Sequence, residues 1–320
     1  GNTNLKYISR APGKIIITGE HFVVHGGYAL VAAINRYVEA TAEISDNMEI
    51  FSERLDMTIS NKTNYMNKLT PLIRAIDSLK DLLGTKKNLR INIKSDIPIS
   101  SGLGSSGSVA VATLAASSAA LGHNLSSEDL IRSAMVSEKI VHGNPSGIDV
   151  TIPVYGGLLL FKKGSPPKPI TMEKSLEFVV CMTGMQRDTS KMIEKVSHKM
   201  KKYPKIFSAL VDSSSHLGHI AAESIGESDS NTLGSILTFH HIALSWLGAS
   251  SPECNTLVEE TLNLGALGVK VTGGGGGGAI IALSKKNEAK LLTKSIKSLG
   301  YDAFVTELPV EGVSVWKKKI

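Results

Sequence analysis

A bend rich in glycine and serine, Pro98-Ile-Ser-Ser-Gly-Leu-Gly-Ser-Ser-Gly107, holds residues suited to binding an anion. It follows an alternating run at 89–95 that predicts a half-buried strand, and it precedes a small-residue run at 108–121 that predicts a helix. Free backbone N–H groups and the positive end of a helix dipole meet at such a junction. Glycine lets backbone approach a phosphate closely, and serine adds hydroxyls. The bend lacks the Gly-Lys-Ser/Thr ending of a Walker A loop, so alone it fits a phosphate cradle and a structural turn equally well.

A lysine and an acid–histidine pair flank an apolar strand near the N-terminus, Ala11-Pro-Gly-Lys-Ile-Ile-Ile-Thr-Gly-Glu-His21. Pro12-Gly13 predicts a turn, after which Lys14 begins the strand. Glu20 and His21 come at the end of the strand, where loops commonly carry binding groups. The same positions also fit a solvated lysine and a hydrogen-bonded structural histidine.

Two acidic residues bound the segment Glu138-Lys-Ile-Val-His-Gly-Asn-Pro-Ser-Gly-Ile-Asp149. Glu138 and His142 are four residues apart and share a helix face, but no further ligand at metal spacing accompanies them, which disfavours zinc. Asn144-Pro145 predicts a turn after this helix. Asp149 then lies between apolar neighbours, where an unpaired carboxylate is costly. Unless it lies on a surface loop, it needs a cation, a hydroxyl or a proton.

Six consecutive glycines, 273–278, follow Lys270-Val-Thr272. Such a run is typical of a flexible linker, but the strand-like segments on both sides are too close together for a tether. Each interior glycine costs about 0.5–1 kcal/mol relative to alanine. The run therefore indicates unusual backbone angles and a close backbone approach to a ligand.

Alternating strand-like and helix-like segments must position these residues. In the first half we expect strands at 6–10, 15–18, 37–44, 56–60 and 157–161, and helices at 65–83, 108–121 and 126–142. A cluster of helix and strand breakers at 162–169 places the domain boundary, giving domains 1–168 and 169–320. In the second half we expect a strand at 178–183, then four helices, then strands at 269–272 and 279–283. A helix at 288–298 and a strand at 303–307 follow. This order implies an α+β layer, and it leaves open whether a last strand at 313–316 packs on the first half.

The composition limits the classes of function. With 320 residues, 42% hydrophobic and 20% charged, the chain can form two globular domains. It has no apolar run of membrane-spanning length and no signal-peptide pattern, and two cysteines form no disulfide framework. We therefore expect a cytoplasmic protein with no membrane partner. The net charge of +6 comes with few aromatic residues and no recognition motif, which disfavours nucleic acid and suits an anionic small molecule.

In this order, the blocks resemble the motifs of the GHMP kinase superfamily, and within it the mevalonate kinase family. Its first motif is similar to Ala11-Pro-Gly-Lys with Gly-Glu-His21, its second to Pro98 with Gly102-Leu-Gly-Ser-Ser106, and its third to Lys270-Val-Thr-Gly273. The block His142-Gly-Asn-Pro-Ser-Gly-Ile-Asp149 favours this family over galactokinases and homoserine kinases. Gly107 and Gly274 stand where the family usually has alanine, which predicts looser loops.

The resemblance implies a two-domain α+β fold, with a ribosomal-protein-S5-like first half, a ferredoxin-like second half and the active site in the cleft between them. It also implies phosphorylation of the mevalonate 5-hydroxyl by ATP with Mg²⁺, carried out by a homodimer. Two alternatives stay open: another small-molecule kinase of the superfamily, such as phosphomevalonate kinase, and a non-catalytic ligand sensor on the same fold.

The resemblance also assigns roles to individual residues. Asp149 and Lys14 act on the reacting hydroxyl, with Asp149 either a base or mainly an orienting group, while Ser106 and Glu138 hold Mg²⁺. The ATP contacts come from the glycine–serine bend, at Pro98, Ser101, Gly102, Leu103, Gly104, Ser105 and Ser106. The substrate contacts are expected at Glu20, His21, Asp149, Thr183 and Arg187, with Thr189 in the same segment. The third glycine loop contributes Thr272, Gly273, Gly274 and Gly275.

Overall fold

The computed structural model describes residues 5–60, 66–98, 102–185, 189–273 and 278–319. The strands are β1 (Leu5–Thr18), β2 (Ala29–Ser45), β3 (Glu49–Ser52), β4 (Met57–Ser60), β5 (Asn88–Ser95), β6 (Leu158–Phe161), β7 (Lys168–Pro169), β8 (Leu176–Met182), β9 (Gly268–Val271), β10 (Ala279–Leu283), β11 (Asp302–Leu308) and β12 (Ser314–Lys319). The helices are α1 (Thr70–Leu83), α2 (Ser105–Ala120), α3 (Ser127–His142), α4 (Ile148–Tyr155), α5 (Thr189–Lys202), α6 (Pro204–Gly226), α7 (Ser230–Leu247), α8 (Pro252–Asn263) and α9 (Ala289–Ser298).

The first half is a sheet in the order β12–β1–β2–β5–β3–β4, with β6 pairing with the start of β2 and β7 pairing with β6. Helix α2 packs across β1 and β2. Its run of alanines, serines and valines is buried on nearly every side, because only small side chains let a helix lie this close to its neighbours. Helices α1 and α3 flank it, and α3 begins where the Ser126 hydroxyl accepts a hydrogen bond from the Asp129 N–H at 3.1 Å.

The second half is an antiparallel sheet in the order β11–β8–β10–β9, packed against α7, α8 and α9. Apolar residues of β8, β9 and β10 form its core together with α7, α8 and α9. The chain then returns to the first half, since β12 pairs antiparallel with Leu5–Arg10 of β1. This answers the question that the sequence left open about the last strand, while the division at residue 168 stays a prediction. Within the described ranges no helix is both long and apolar enough to cross a membrane.

Three local predictions differ from the structure. The expected turn at Pro12-Gly13 is a bulge inside one continuous strand, with a register shift against β2 at that point. Proline has no N–H to give to a strand pair, and a bulge tolerates that loss. Strand β2 begins eight residues before the predicted start at Tyr37. Helix α4 was not predicted, because its eight residues are mostly apolar, include Pro153 and show no helical alternation.

Candidate active site

The bulge of β1 places Lys14 directly beneath the glycine–serine bend. The Lys14 backbone N–H donates to the Leu103 carbonyl at 2.9 Å. A β-carbon on Gly104 would lie 2.7 Å from the Lys14 Cγ, and one on Gly13 would lie 2.9 Å from the Leu103 oxygen. Gly104 has φ of 77°, in the left-handed region that favours glycine. The two segments therefore pack backbone to backbone, and the lysine side chain runs along the bend.

Asp149 reaches the same place from helix α4. It lies in the first turn of that helix, and its Oδ1 is 3.4 Å from the Lys14 Nζ. The lysine side chain is 5% exposed and the aspartate side chain 37% exposed. The carboxylate therefore has a cation partner, as the sequence required, and still faces open space in which a substrate could bind.

Gly107 allows α4 to approach α2 this closely. A β-carbon at this position would overlap the Asp149 carbonyl group and would lie 2.8 Å from the Asp149 Cβ. The residue is buried within α2, so the expectation that glycine loosens the bend here is wrong. The missing methyl group instead makes room for the backbone that carries Asp149. Gly274, the other predicted departure, lies outside the described residues.

Ser106 and Glu138 form the oxygen pair expected at a magnesium site. The Ser106 hydroxyl donates to Glu138 Oε1 at 2.7 Å. Glu138 Oε2 is buried without a hydrogen-bond partner in the described part of the chain, although the His142 Nε2 lies 3.4 Å away. Burial raises the pKa of Glu138, and the hydrogen bond from Ser106 opposes that rise. A hydroxyl and a carboxylate with an unsatisfied oxygen fit Mg²⁺, which prefers oxygen ligands.

Glu20 lies in the interior of the protein, paired with Lys270, a residue of the third motif to which the sequence assigned no role. Lys270 of β9 donates to Glu20 Oε2 and, at 2.8 Å, to the Ile16 carbonyl. Both side chains are fully buried, at 0% exposure for Lys270 and 1% for Glu20. Burial raises the pKa of Glu20 and lowers the pKa of Lys270, while their mutual contact opposes both shifts. Glu20 Oε1 is buried and has no hydrogen-bond partner among the described residues.

The third glycine loop begins against the glycine–serine bend. A β-carbon on Gly102 would lie 3.0 Å from the Thr272 carbonyl, and one on Gly273 would lie 2.8 Å from the Gly102 carbonyl. Both glycines have positive φ, at 77° and 73°. The second and third motifs, 171 residues apart for this pair, therefore touch through backbone alone, which joins the two halves at the site.

Of the other expected substrate residues, the structure describes Thr183 and His21. Thr183 is buried, and its hydroxyl donates to the Gly278 carbonyl at 2.6 Å, so it holds the far end of the third loop. His21 is partly buried and has φ of 64°, which is uncommon for a residue with a side chain. Among the predicted residues, Ser101, Arg187 and Gly275 lie outside the described residues, and the Thr189 side chain is not described.

A cavity of about 610 Å³ opens beside the glycine–serine bend. Its walls include Pro98, the described part of the bend at 102–106, and Asp149. The far wall comes from elements that the sequence analysis did not connect with the site. These are the end of β3, the residues before α1 and the first turn of α1, with Ser52, Arg54, Asn67, Leu69 and Leu72. Apolar side chains such as Leu69 and Leu72 together with the glycine–serine bend suit a nucleotide.

Comparison with known proteins agrees with this geometry. The model of the GHMP kinases N terminal domain matches residues 70–157, and that of the GHMP kinases C terminal domain matches residues 221–302. A galactokinase galactose-binding signature matches residues 1–43, which include the first motif.

Full-length relatives point the same way. The chain is 35% identical to a mevalonate kinase of Aeropyrum pernix, covering 94% of this chain and 96% of the relative, and 33% identical to one of Thermococcus sibiricus, covering 97% and 98%. Among solved structures, L. major mevalonate kinase in complex with R-mevalonate matches with a TM-score of 0.78 and 27% identity, over 95% of this chain and 96% of that one. The Methanococcus jannaschii mevalonate kinase matches with a TM-score of 0.82 and 26% identity, over 95% and 98%.

Proposed function

Because the chain belongs to the mevalonate kinase family of the GHMP kinases, we propose that it transfers the γ-phosphoryl group of ATP to the 5-hydroxyl of mevalonate. The observation that supports this most is the Lys14–Asp149 contact of 3.4 Å beside the glycine–serine bend. Phosphoryl transfer depends on positioning and on stabilising negative charge. A lysine, a carboxylate and a phosphate cradle at one place supply both.

Asp149 acts on the alcohol. Its carboxylate accepts a hydrogen bond from the 5-hydroxyl, which points one oxygen lone pair at the γ-phosphorus. It takes the proton as the new O–P bond forms and as the bond from the γ-phosphorus to the β,γ-bridging oxygen breaks, so that ADP leaves. Lys14 stabilises the negative charge on the transferring group. If the transition state is loose, the Asp149 carboxylate mainly orients the hydroxyl and takes its proton late. The pH dependence of kcat in Asp149 variants separates the two roles.

The nucleotide occupies the cavity beside the bend. Backbone N–H groups at the start of α2 bind its phosphates, and the apolar wall that includes Leu69 and Leu72 covers its base. Ser106 and Glu138 would hold Mg²⁺, which supplies positive charge against the β- and γ-phosphates when bound. The buried, unpartnered Glu138 Oε2 supports this assignment.

Mevalonate lies on the other side of the reacting pair. We assign Glu20 and His21 to its hydroxyl and carboxylate end, with Thr183 and Arg187 at the border of the second half. Glu20 supports this with its unpartnered oxygen, Oε1. The Thr183 hydroxyl already donates to Gly278, so toward a substrate it would serve as an acceptor.

An ADP-release assay across mevalonate, phosphomevalonate, homoserine and galactose tests the proposal, with Asp149→Asn as the control for contaminating kinases. We expect turnover with mevalonate and a ³¹P NMR signal for a phosphomonoester. Galactose is included because of the signature match at residues 1–43. Turnover with phosphomevalonate alone would contradict the proposed substrate, and binding of mevalonate without turnover would favour the sensor.

Two further properties follow from the family and are proposed with it: assembly as a homodimer and a cytoplasmic location. Light scattering on the eluting protein tests the first, with a mass of about twice the 34.0 kDa chain expected. A mass of one chain at all concentrations would contradict it.

A further inference from the structure

The two sheets meet at Ile16 of β1. Strand β12 pairs with β1 only as far as Arg10, so beyond that residue the outer edge of β1 has no strand partner in the described chain. The side chains of Lys270 on β9 and of Thr272, the residue that follows β9, take that place. Lys270 donates to the Ile16 carbonyl at 2.8 Å, and the Thr272 hydroxyl accepts from the Ile16 N–H at 3.1 Å.

Lys270 also fixes one oxygen of Glu20 and leaves the other unused. Oε2 accepts from the lysine, whereas Oε1 has no hydrogen-bond partner among the described residues. Buried polar atoms are nearly always hydrogen-bonded, so an unsatisfied carboxylate oxygen suggests a missing ligand. Lys270 also contacts the carbonyl of Ile16, which is two residues from Lys14 on the same strand, so the pair lies against the part of β1 that carries Lys14.

The junction of the two sheets does not by itself require charged residues. Desolvating two charges cancels most of their attraction, so a buried ion pair is commonly no more stabilising than apolar side chains of similar size. Thr272 already joins β9 to Ile16 without a charge. The pair therefore needs a reason beyond stability, and the unused oxygen of Glu20 supplies one.

We propose that Lys270 is a positioning residue for the substrate: it holds Oε2 of Glu20 so that Oε1 faces a substrate hydroxyl. The inference rests on the proposed function, since it takes mevalonate as the ligand. Lys270 does not touch the substrate itself, and it acts only through the orientation and charge of Glu20.

The test compares Lys270→Met, Glu20→Gln and the double variant by steady-state kinetics, calorimetric binding of mevalonate and thermal unfolding. Lys270→Met should raise the KM and Kd for mevalonate at least about tenfold and leave the KM for ATP within about twofold. The double variant contains no buried unpaired charge, so its melting temperature should recover toward that of the wild type. Its mevalonate affinity should stay low, because the carboxylate acceptor is gone.

Ile296→Ala is the matched control, because Ile296 is buried in the core of the second half on α9, away from the junction. It should lower the melting temperature and leave the KM for mevalonate unchanged. Lys270→Gln, which keeps a donor but loses the charge, serves as the second variant and should show a selective but smaller rise in the KM for mevalonate.

Three outcomes would count against these proposals. An active wild type with an unchanged mevalonate KM in both Lys270 variants would overturn the inference alone. Recovery of mevalonate affinity in the double variant would make the pair purely structural. A wild type that does not phosphorylate mevalonate would overturn the proposed function, and with it the substrate named here.

Discussion

Two lysine–carboxylate pairs lie along β1 and differ in their exposure to solvent. Lys14 contacts Asp149, whose side chain is 37% exposed, whereas Lys270 contacts Glu20 with both side chains fully buried. The exposed carboxylate can change its hydrogen bonds during each turnover. The buried one is held in a single arrangement. We therefore propose different tasks for the same chemical groups, the first in the reaction and the second in fixing the site.

Substitution in the Lys14–Asp149 pair should have the largest kinetic effect. Asp149→Asn keeps the size of the side chain and removes the base, so we expect kcat to fall by about 10²–10⁴-fold. The KM for mevalonate should change little, since Glu20 is untouched. Asp129→Asn, in an exposed ion pair with Arg132 on α3, is the matched control and should leave kcat unchanged. Near-native kcat in Asp149→Asn would remove Asp149 from the reaction.

Glu138 is a third carboxylate near Lys14 and Asp149, and replacing it tests whether its charge serves to bind Mg²⁺. Glu138→Gln keeps the hydrogen bond with Ser106 and removes the charge that would bind Mg²⁺. We expect the Mg²⁺ concentration for half-maximal activity to rise at least about tenfold, measured by Mg²⁺ titration at saturating ATP. An unchanged Mg²⁺ dependence would contradict the assignment.

Substitution of Gly107 tests how tightly Asp149 must be held beside Lys14. Gly107→Ala places a methyl group against the Asp149 carbonyl, so α4 must shift. We expect about 1–3 kcal/mol of lost stability and a fall in kcat of up to about 10²-fold. Gly226→Ala is the control, since a β-carbon there meets nothing within 4 Å at the end of α6. Activity that tolerates Gly107→Ala would mean that Asp149 need not be held so exactly in place.

The buried pair has a neighbour whose titration reports on the same interior. Burial lowers the pKa of His240 to about 4, and the Lys270 charge adds to that shift. Between about pH 6.5 and pH 4 the unfolded chain binds a proton that the folded chain does not, so stability falls as pH falls through this window. The depression corresponds to about 3 kcal/mol. Urea unfolding at pH 7 and pH 4.5 should show a smaller loss in His240→Gln than in the wild type, and equal losses would contradict this origin.

The sequence predicted that Lys14 and Asp149 act together, but it named Glu20 and Lys270 only in separate motifs and missed their contact, for a physical reason. Lys14, Ser106, Glu138 and Asp149 stand in local motifs, and the strand-to-helix junction around the bend is where the pattern put it. Lys270 stands in an alternating strand, where a lysine ordinarily faces solvent. Its burial comes from a contact 250 residues away in the chain, which no local pattern can show.

Elements that lack a periodic signal were missed in the same way. Helix α4 is short and, apart from Asp149 and Thr151, apolar, and the bulge at Pro12-Gly13 resembles a turn in sequence because both tolerate proline and glycine. The walls of the cavity beside the bend come from separate segments, among them the end of β3, the start of α1 and the first turn of α4, that only the fold brings together. The chemistry of the site was therefore easier to predict than its shape.

The most direct test measures kcat and the mevalonate KM of Asp149→Asn and Lys270→Met side by side. We expect the first variant to lose kcat with little change in KM, and the second to lose mevalonate affinity with a much smaller change in kcat. Equal losses of kcat and KM in both variants would contradict the division of work between the two pairs.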